Sequence, residues 1–237
     1  MERECEFIDV KNDLGTWTVP TLFAPQQVGG DNPKVAGVIG LTAVGETHST
    51  HIIQAMLLST WLKRDVVSSQ NDKALFIDAG AHIGTVTVAV AQSLTENSIK
   101  SKHYSIELLP EIYFCLQRNV SNNNISAEVK TVNAALTSPE IAESIKSMYV
   151  PSLCGDWDFN TQSSTAGCFT YSEKDLDIES NQVPTTTIDT LLKDETLSVT
   201  AIKVDCEGSD LDVLKGAVKT IKRSRPIILF EDTNRSQ

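Results

Sequence analysis

Long apolar runs and a secretion signal are both missing from this sequence of 237 residues. No stretch approaches the roughly 20 apolar residues that a membrane-spanning helix needs, so we predict that the chain has no membrane span. Residues 1–20 lack the basic start and the apolar centre of a signal peptide. We therefore expect a cytoplasmic protein.

Cysteine and positive charge are scarce as well. The five cysteines form no C-x-x-C pair of metal-binding spacing, and an odd number fits free thiols. The 20 Lys and Arg residues are outnumbered by 31 Asp and Glu residues, which gives a net charge of −11. Because proteins that bind nucleic acid normally present a basic cluster to its phosphates, we predict that nucleic acid is not a partner.

The most informative stretch that is present covers residues 74–85. A short apolar run ends in Asp78, and two glycines follow at Gly80 and Gly84 before a small, apolar segment. This pattern predicts a strand, a tight turn and a helix start, where backbone N–H groups approach a ligand closely. A dinucleotide turn would need a glycine at His82. The spacing D-x-G-x-x-x-G therefore favours a smaller ligand without a pyrophosphate, with S-adenosylmethionine as the candidate.

An acid follows this turn at the distance expected for a contact with a ribose. The apolar run 103–108 carries Glu107 near its end, about 20 residues beyond Gly84, and an acid at this place in a βαβ unit can hydrogen-bond both ribose hydroxyls. The alternative is a solvated carboxylate at a strand end. The spacing alone leaves both interpretations open.

Strands and helices alternate along the rest of the chain. The predicted strands cover residues 74–77, 103–108, 128–136, 199–208 and 225–232. The helix before the last strand has Leu211, Leu214, Val218 and Ile221 on one face. This alternation predicts an α/β fold with a mainly parallel, Rossmann-like sheet, helices on both faces, and ligands at the carboxyl ends of the strands.

Six segments together resemble one family. FIDAGAHIG, YSIEL, VNAAL, TTTIDTLL, IKVDCEGSDLDVLKGA and RPIILFE stand in the order and spacing of the FkbM-type methyltransferases, over residues 74–232. The resemblance implies a class I, S-adenosylmethionine-dependent fold. It also implies transfer of a methyl group to hydroxyl oxygens of sugars, polyketides or other natural products.

The site residues follow from this resemblance and from the chemistry. The cofactor-binding residues that we expect are Asp78, Gly80, His82, Gly84, Glu107, Asn133, Ala134 and Asp205. An alcohol must lose its proton to accept a methyl group, which requires a base or a metal. Asp205 and Glu207 end the fourth strand and Glu231 ends the fifth, so these three are the catalytic candidates, with Asp205 first. Such acids would also suit a divalent ion such as Mg²⁺; alternatively, some of them cap helices or face water.

We expect two parts in the chain, a lead-in over residues 1–70 and a methyltransferase domain over 71–237. In the lead-in, an apolar face over residues 50–63 predicts a helix that packs on the sheet. In the domain, residues 137–183 form an insertion. Insertions of this length are often functional. Two interpretations stay open: the insertion forms a lid over the substrate, or its aromatic residues anchor a loop to the core.

The fifth predicted strand lies five residues before Gln237, whereas the family pattern continues with two more strands. We therefore expect the C-terminal strands of the fold to be missing and residues 225–232 to form a sheet edge. The lead-in residues 1–45 or a second copy in a homodimer would cover this edge. Two functions stay open: an O-methyltransferase acting on a small-molecule or glycan hydroxyl, and a cofactor-binding or interaction module with weak or no turnover. A nicotinamide oxidoreductase is disfavoured by the glycine spacing.

Overall fold

The computed structural model of the chain describes residues 7–12, 15–20, 49–69, 73–123, 125, 127–151 and 180–230. The strands are β1 Phe7–Asn12, β2 Gly15–Pro20, β3 Ala74–Ala79, β4 Ser101–Glu107, β5 Glu128–Asn133, β6 Ala135–Leu136, β7 Ser147–Pro151, β8 Ser180–Thr186, β9 Ala201–Val204 and β10 Ile227–Phe230. The helices are α1 Ser49–Ser69, α2 Thr85–Glu96, α3 Pro110–Asn122, α4 Pro139–Ser144, α5 Ile188–Leu191, α6 Asp210–Lys215 and α7 Val218–Ser224. Within these residues no helix is long and apolar enough to cross a bilayer.

A parallel five-stranded sheet forms the centre of the molecule, in the order β10-β9-β3-β4-β5. The middle strand β3 is buried at every position, as expected for a parallel strand that is covered on both faces. The chain runs outward from β3 to β5 and then returns to place β9 on the other side of β3. Ligands of open α/β sheets bind at such a reversal, beyond the carboxyl ends of the strands. The predicted α/β fold with a mainly parallel sheet is confirmed.

Helices cover both faces of this sheet, and β3 supplies side chains to both. On one face Phe76 packs with Leu58 and Leu62 of α1 and with residues of α2. On the other face Leu75 and Ile77 pack against a cluster that includes Val213 of α6. Burial of apolar side chains on both sides stabilises β3 and so fixes the position of the turn that follows it.

Helix α1 buries less of its apolar face than the sequence indicated. Ala55, Leu58 and Leu62 are buried, whereas the described side chains of Ile53, Met56, Leu57 and Trp61 are 39–64% exposed. A helix that lies on one layer buries a single stripe of its surface, and here that stripe packs mainly on α2. The broad apolar face predicted for this helix is therefore only partly buried.

The helix expected after the fourth strand is divided into α6 and α7. The break lies at Gly216, where an added Cβ would be 2.2 Å from the carbonyl oxygen of Thr137. Leu211 of α6 and Val218 of α7 are 66% and 41% exposed. The predicted single apolar face was wrong at these two positions, because α6 buries Asp210 and Val213 instead of Leu211 and Val218 lies beyond the break.

The predicted third strand also ends early. β5 stops at Asn133, and after Ala134 the chain forms β6, which pairs with β8 in a separate sheet. β7 pairs with β8 in antiparallel orientation; β7 lies within the expected insertion 137–183, and β8 runs past its end to Thr186. Residues 152–179, which hold the aromatic side chains of the predicted lid, lie outside the described residues, so the lid stays a prediction.

At the start of the lead-in, which also contains α1, β1 and β2 form a hairpin that packs on α3. The side-chain amides of Asn119 and Asn123 act like a neighbouring strand, since each accepts from and donates to the backbone of β2, at Thr18 and Thr16. Asn119 also donates to the carbonyl of Ile83, 2.8 Å away. This hairpin therefore contacts α3 rather than the β10 edge; residues 21–48 lie outside the described residues.

Replacing Asn119 by alanine should lower the free energy of unfolding by about 2 kcal/mol or more, because buried backbone groups lose their partners. Equilibrium unfolding in urea measures this change. The control is Asn122→Ala, which removes one 3.4 Å bond to Thr18 and should cost less than about 0.5 kcal/mol. Equal losses in the two variants would show that the amide pairing does not hold the hairpin.

Candidate functional site

The predicted site residues of β3, β4 and β9 meet at the carboxyl edge of the sheet. The backbone N–H of His82, in the turn after β3, donates to the Glu107 carboxylate at the end of β4. On the side of β3 that faces β9, the Lys203 ammonium lies within 3.4 Å of the carboxylates of Asp78 in β3 and Asp205 after β9. Three adjacent strands therefore contribute to one site, as the parallel order requires.

The turn between β3 and α2 depends on its two glycines. Gly80 and Gly84 have φ angles of 76° and 92°, which L side chains rarely adopt. A Cβ at Gly80 would lie 1.9 Å from the carbonyl oxygen of Asp205, and one at Gly84 would lie 2.8 Å from Leu116. Gly80 is thus required by its packing on the backbone after β9. The expected reason, close approach to a ligand, is not needed to explain this glycine.

Strained backbone is concentrated at this edge. Of the four non-glycine residues with positive φ in the described part of the chain, Ser98 and Arg225 follow helix ends, whereas His82 (52°) and Glu207 (50°) lie in the turns after β3 and β9. Non-glycine residues in this conformation cost roughly 1–3 kcal/mol and are common at functional sites. This strain supports a ligand site between the two turns.

Glu107 is a buried carboxylate, not the solvated strand-end acid considered as the alternative. Its side chain accepts from the backbone N–H groups of His82 at 2.9 Å and Leu109 at 2.8 Å, and the residue is 7% exposed. Burial raises the pKa of Glu107 to about 7, against the opposing effect of these N–H groups. A carboxylate offers about four acceptor positions, so Glu107 keeps capacity for hydroxyl donors beside its backbone partners.

Asn133 and Ala134 hold the segment that follows Glu107. The side-chain amide of Asn133 donates to the carbonyls of Glu107 and Leu108, at 2.9 and 2.8 Å. The backbone N–H of Ala134 also donates to the Glu107 carbonyl, at 3.2 Å. These bonds fix the rim of the site beside β5. A contact of these two residues with adenine stays a prediction.

Lys203 is the residue of the site that sequence reasoning missed. Its ammonium lies 3.3 Å from Asp78, 3.4 Å from Asp205 and 3.1 Å from the carbonyl oxygen of Gly80. Burial lowers the pKa of Lys203, but the charges of the two aspartates outweigh this effect and hold the pKa above its usual value. The available signal was a lysine that interrupts the apolar strand Ala201–Val204.

The turn after β9 presents Asp205 and Glu207 at the rim. Both are partly exposed, whereas Asp210 is buried and accepts from the backbone N–H groups of Cys206 at 3.3 Å and Gly208 at 3.1 Å. Asp210 therefore stabilises the turn and leaves the rim to the other two acids. Glu231, the third catalytic candidate, lies outside the described residues.

Among the described residues, no group of three His, Cys, Asp or Glu side chains is arranged to hold a metal ion. The Asp205 carboxylate faces an ammonium instead. A site that includes Glu231 would involve a residue outside the described part of the chain, so the divalent ion stays a prediction.

The edge fits a nucleoside-containing cofactor in two respects. Glu107 is a buried carboxyl that accepts from backbone N–H groups, and α2 has Gly84 as its N-cap, so no side chain caps the first N–H groups of the helix. Both features are local to the D-x-G-x-x-x-G segment and to the end of β4, as the sequence predicted.

Comparison with known families confirms the family resemblance that the sequence indicated. Residues 78–236, well over half of the chain, match the family model described as the methyltransferase FkbM domain. No curated protein matches the chain. The matched residues include the glycine turn, Glu107, Lys203 and Asp205, and exclude the N-terminal hairpin and α1. The chain therefore belongs to the FkbM methyltransferase family.

Proposed function

We propose that this methyltransferase uses S-adenosylmethionine and transfers the methyl group to a hydroxyl oxygen. The observation that carries the proposal is the buried Glu107 carboxylate, held by the N–H of His82 in the glycine turn. This geometry puts a hydrogen-bond acceptor for hydroxyls directly beside a turn with left-handed backbone, and both lie within the residues that the family model matches. Asp78, Gly80, His82 and Gly84 form the turn, and Asn133 and Ala134 close its outer side.

In the proposed reaction, the protein mainly positions the two reactants. The bound cofactor would supply a methyl group on a positively charged sulfur, and catalysis of such an in-line displacement depends largely on alignment. The acceptor oxygen forms a bond to the methyl carbon while the carbon–sulfur bond breaks, and the hydroxyl proton has to leave. Asp205 is the proposed acceptor of that proton, or of a hydrogen bond that orients the hydroxyl. Glu207 and Glu231 are proposed to assist.

The proposed acceptor is a small molecule or a glycan. The net charge of −11 supports this choice, because a nucleic-acid substrate would be repelled unless a basic surface faced it. The alternative function is cofactor binding with little or no turnover. The ion pair between Asp205 and Lys203 favours this alternative, since it occupies the first-choice base.

Two measurements test the proposal. Calorimetric titration with S-adenosylhomocysteine tests cofactor binding, and transfer of a labelled methyl group to a panel of hydroxylated metabolites and glycans tests turnover, with and without a chelator. Binding with turnover supports the enzyme, and binding without turnover on any acceptor supports the alternative. The homodimer through the β10 edge and the cytoplasmic location stay predictions from the sequence.

Cofactor affinity should depend on pH through Glu107. In the protein without a ligand, burial raises the pKa of the Glu107 carboxyl to about 7. Hydroxyl groups that donate hydrogen bonds to this carboxyl favour its ionised form. Affinity should therefore be constant well above pH 7 and should fall as the pH drops below 7, approaching tenfold per pH unit. Titration with S-adenosylhomocysteine at pH 8.5, 7 and 6 measures this dependence. Glu107→Gln should flatten it, and a flat profile in the unaltered protein would contradict the ribose assignment.

A further inference from the structure

Lys203 has an unusual place for a charged side chain. It lies in the interior of β9, directly opposite Asp78 in the parallel pairing with β3. All four residues of β9 are buried, and the Lys203 side chain is 3% exposed. Lysine is rarely buried to this extent unless it has partners.

The partners of Lys203 come from three separate parts of the site. Three oxygens surround the ammonium: it donates to the carbonyl of Gly80 in the glycine turn, and it forms ion pairs with a carboxylate oxygen of Asp78 in β3 and one of Asp205 after β9. The other carboxylate oxygen of Asp78 accepts from the Thr87 hydroxyl of α2, at 2.7 Å. A chain of polar contacts thus runs from the buried interior to the rim.

We propose that Lys203 is a positioning residue that holds the glycine turn and the Asp205 carboxylate in one fixed arrangement. The proposal rests on the proposed function for its catalytic consequence. Lys203 acts through Gly80 and Asp205, since its own side chain is enclosed. The cofactor side and the acceptor side of the site are then coupled through one buried ammonium.

A buried ion pair can instead contribute only to global stability, and removal of one partner then destabilises the whole fold. The two roles predict that different parts of the structure lose protection from amide hydrogen exchange. Loss of a positioning contact should free the turn at Gly80 and the backbone at Asp205 more than the far end of the same strands. Loss of global stability should affect both ends alike.

Amide hydrogen exchange of the full chain without ligand separates these roles. The N–H groups of Gly80 and Ala81 donate to Ile106, and that of Asp205 donates to Ala79, at the site. The N–H of Thr200 donates to Leu75 at 2.8 Å, at the opposite end of β9 and β3. Exchange at Gly80, Ala81 and Asp205 is therefore compared with exchange at Thr200 as an internal reference.

The test variant is the double substitution Asp78→Asn with Lys203→Met, which removes both charges of the buried pair and leaves no uncompensated buried carboxylate. The first control is Asp78→Asn alone, which keeps the ammonium between Gly80 and Asp205. The second is Lys102→Met, which breaks ion pairs with Glu128 and Glu195 at the other edge of the sheet.

In the double variant, exchange at Gly80, Ala81 and Asp205 should rise about tenfold or more beyond any change at Thr200. Affinity for S-adenosylhomocysteine should fall about tenfold, as for the loss of one charged hydrogen bond. Both controls should leave the ratio of site to reference exchange unchanged. If the double variant does not fold, Asp205→Asn should still accelerate exchange at Gly80 several-fold, because it removes the charge that ties the ammonium to the turn after β9, a contact that Asp78→Asn leaves in place.

An equal change at Thr200 and at the site would overturn the proposal, as would Asp78→Asn alone giving the full local effect. If Asp205→Asn has to be used instead, unchanged exchange at Gly80 would also overturn the proposal. If the unaltered protein binds no S-adenosylhomocysteine, the proposed function fails, and the exchange ratios still decide the role of Lys203. Failure of one proposal is thus distinguishable from failure of the other.

Discussion

Replacing Glu107 by alanine is expected to weaken binding of S-adenosylhomocysteine by about two orders of magnitude, because two hydrogen bonds from hydroxyls to a carboxylate would be lost. The carboxylate is held between the N–H groups of His82 and Leu109, so it is already oriented before a ligand arrives. Calorimetric titration measures the effect at a temperature where thermal unfolding shows the variant to be folded.

The matched control is Glu128→Ala. Glu128 lies on the neighbouring strand β5 and pairs with Lys73 and Lys102, but it is 56% exposed and stands at the other end of the sheet. Its removal should leave affinity for S-adenosylhomocysteine within about twofold, since surface ion pairs contribute little. If Glu107→Ala binds as tightly as this control, Glu107 is not the ribose acceptor.

Replacing Asp205 by asparagine is expected to lower kcat for methyl transfer by about 100-fold or more, the usual contribution of a general base. Affinity for S-adenosylhomocysteine should fall far less than kcat, because Glu107 and the glycine turn supply the other cofactor contacts that we expect at this edge. Single-turnover transfer of a labelled methyl group at saturating cofactor measures the rate.

Glu207→Gln and Glu231→Gln are the companion variants for this test. Each should lower kcat less than Asp205→Asn does, since both acids are proposed only to assist. Unchanged kcat in Asp205→Asn would rule out its catalytic role. If kcat falls more in Glu207→Gln or Glu231→Gln than in Asp205→Asn, the residue replaced in that variant is the general base.

Local patterns in the sequence were sufficient for the main features of the site. The strand before Asp78, the glycines at positions 80 and 84, and the acid at position 107 are defined by neighbouring residues, and the structure places them at one edge of the sheet. Such patterns are informative because the local backbone geometry depends on which residues tolerate it.

Features that depend on distant contacts were missed or wrong. The contacts of Lys203 depend on the register of β9 beside β3, and so does the close packing of Gly80 on the carbonyl of Asp205. The break between α6 and α7 lies at Gly216, which packs against the carbonyl of Thr137. In each case the cause is a residue more than 70 positions away in the sequence, which no local pattern reports.

The most direct test of the central claim is calorimetric titration of the unaltered chain with S-adenosylhomocysteine at pH 8, where Glu107 is ionised in the free protein. We expect saturable binding of one ligand molecule per chain, strongly weakened in Glu107→Ala and retained in Glu128→Ala. Absence of binding at millimolar ligand in the folded protein would contradict the assignment of this edge as the cofactor site.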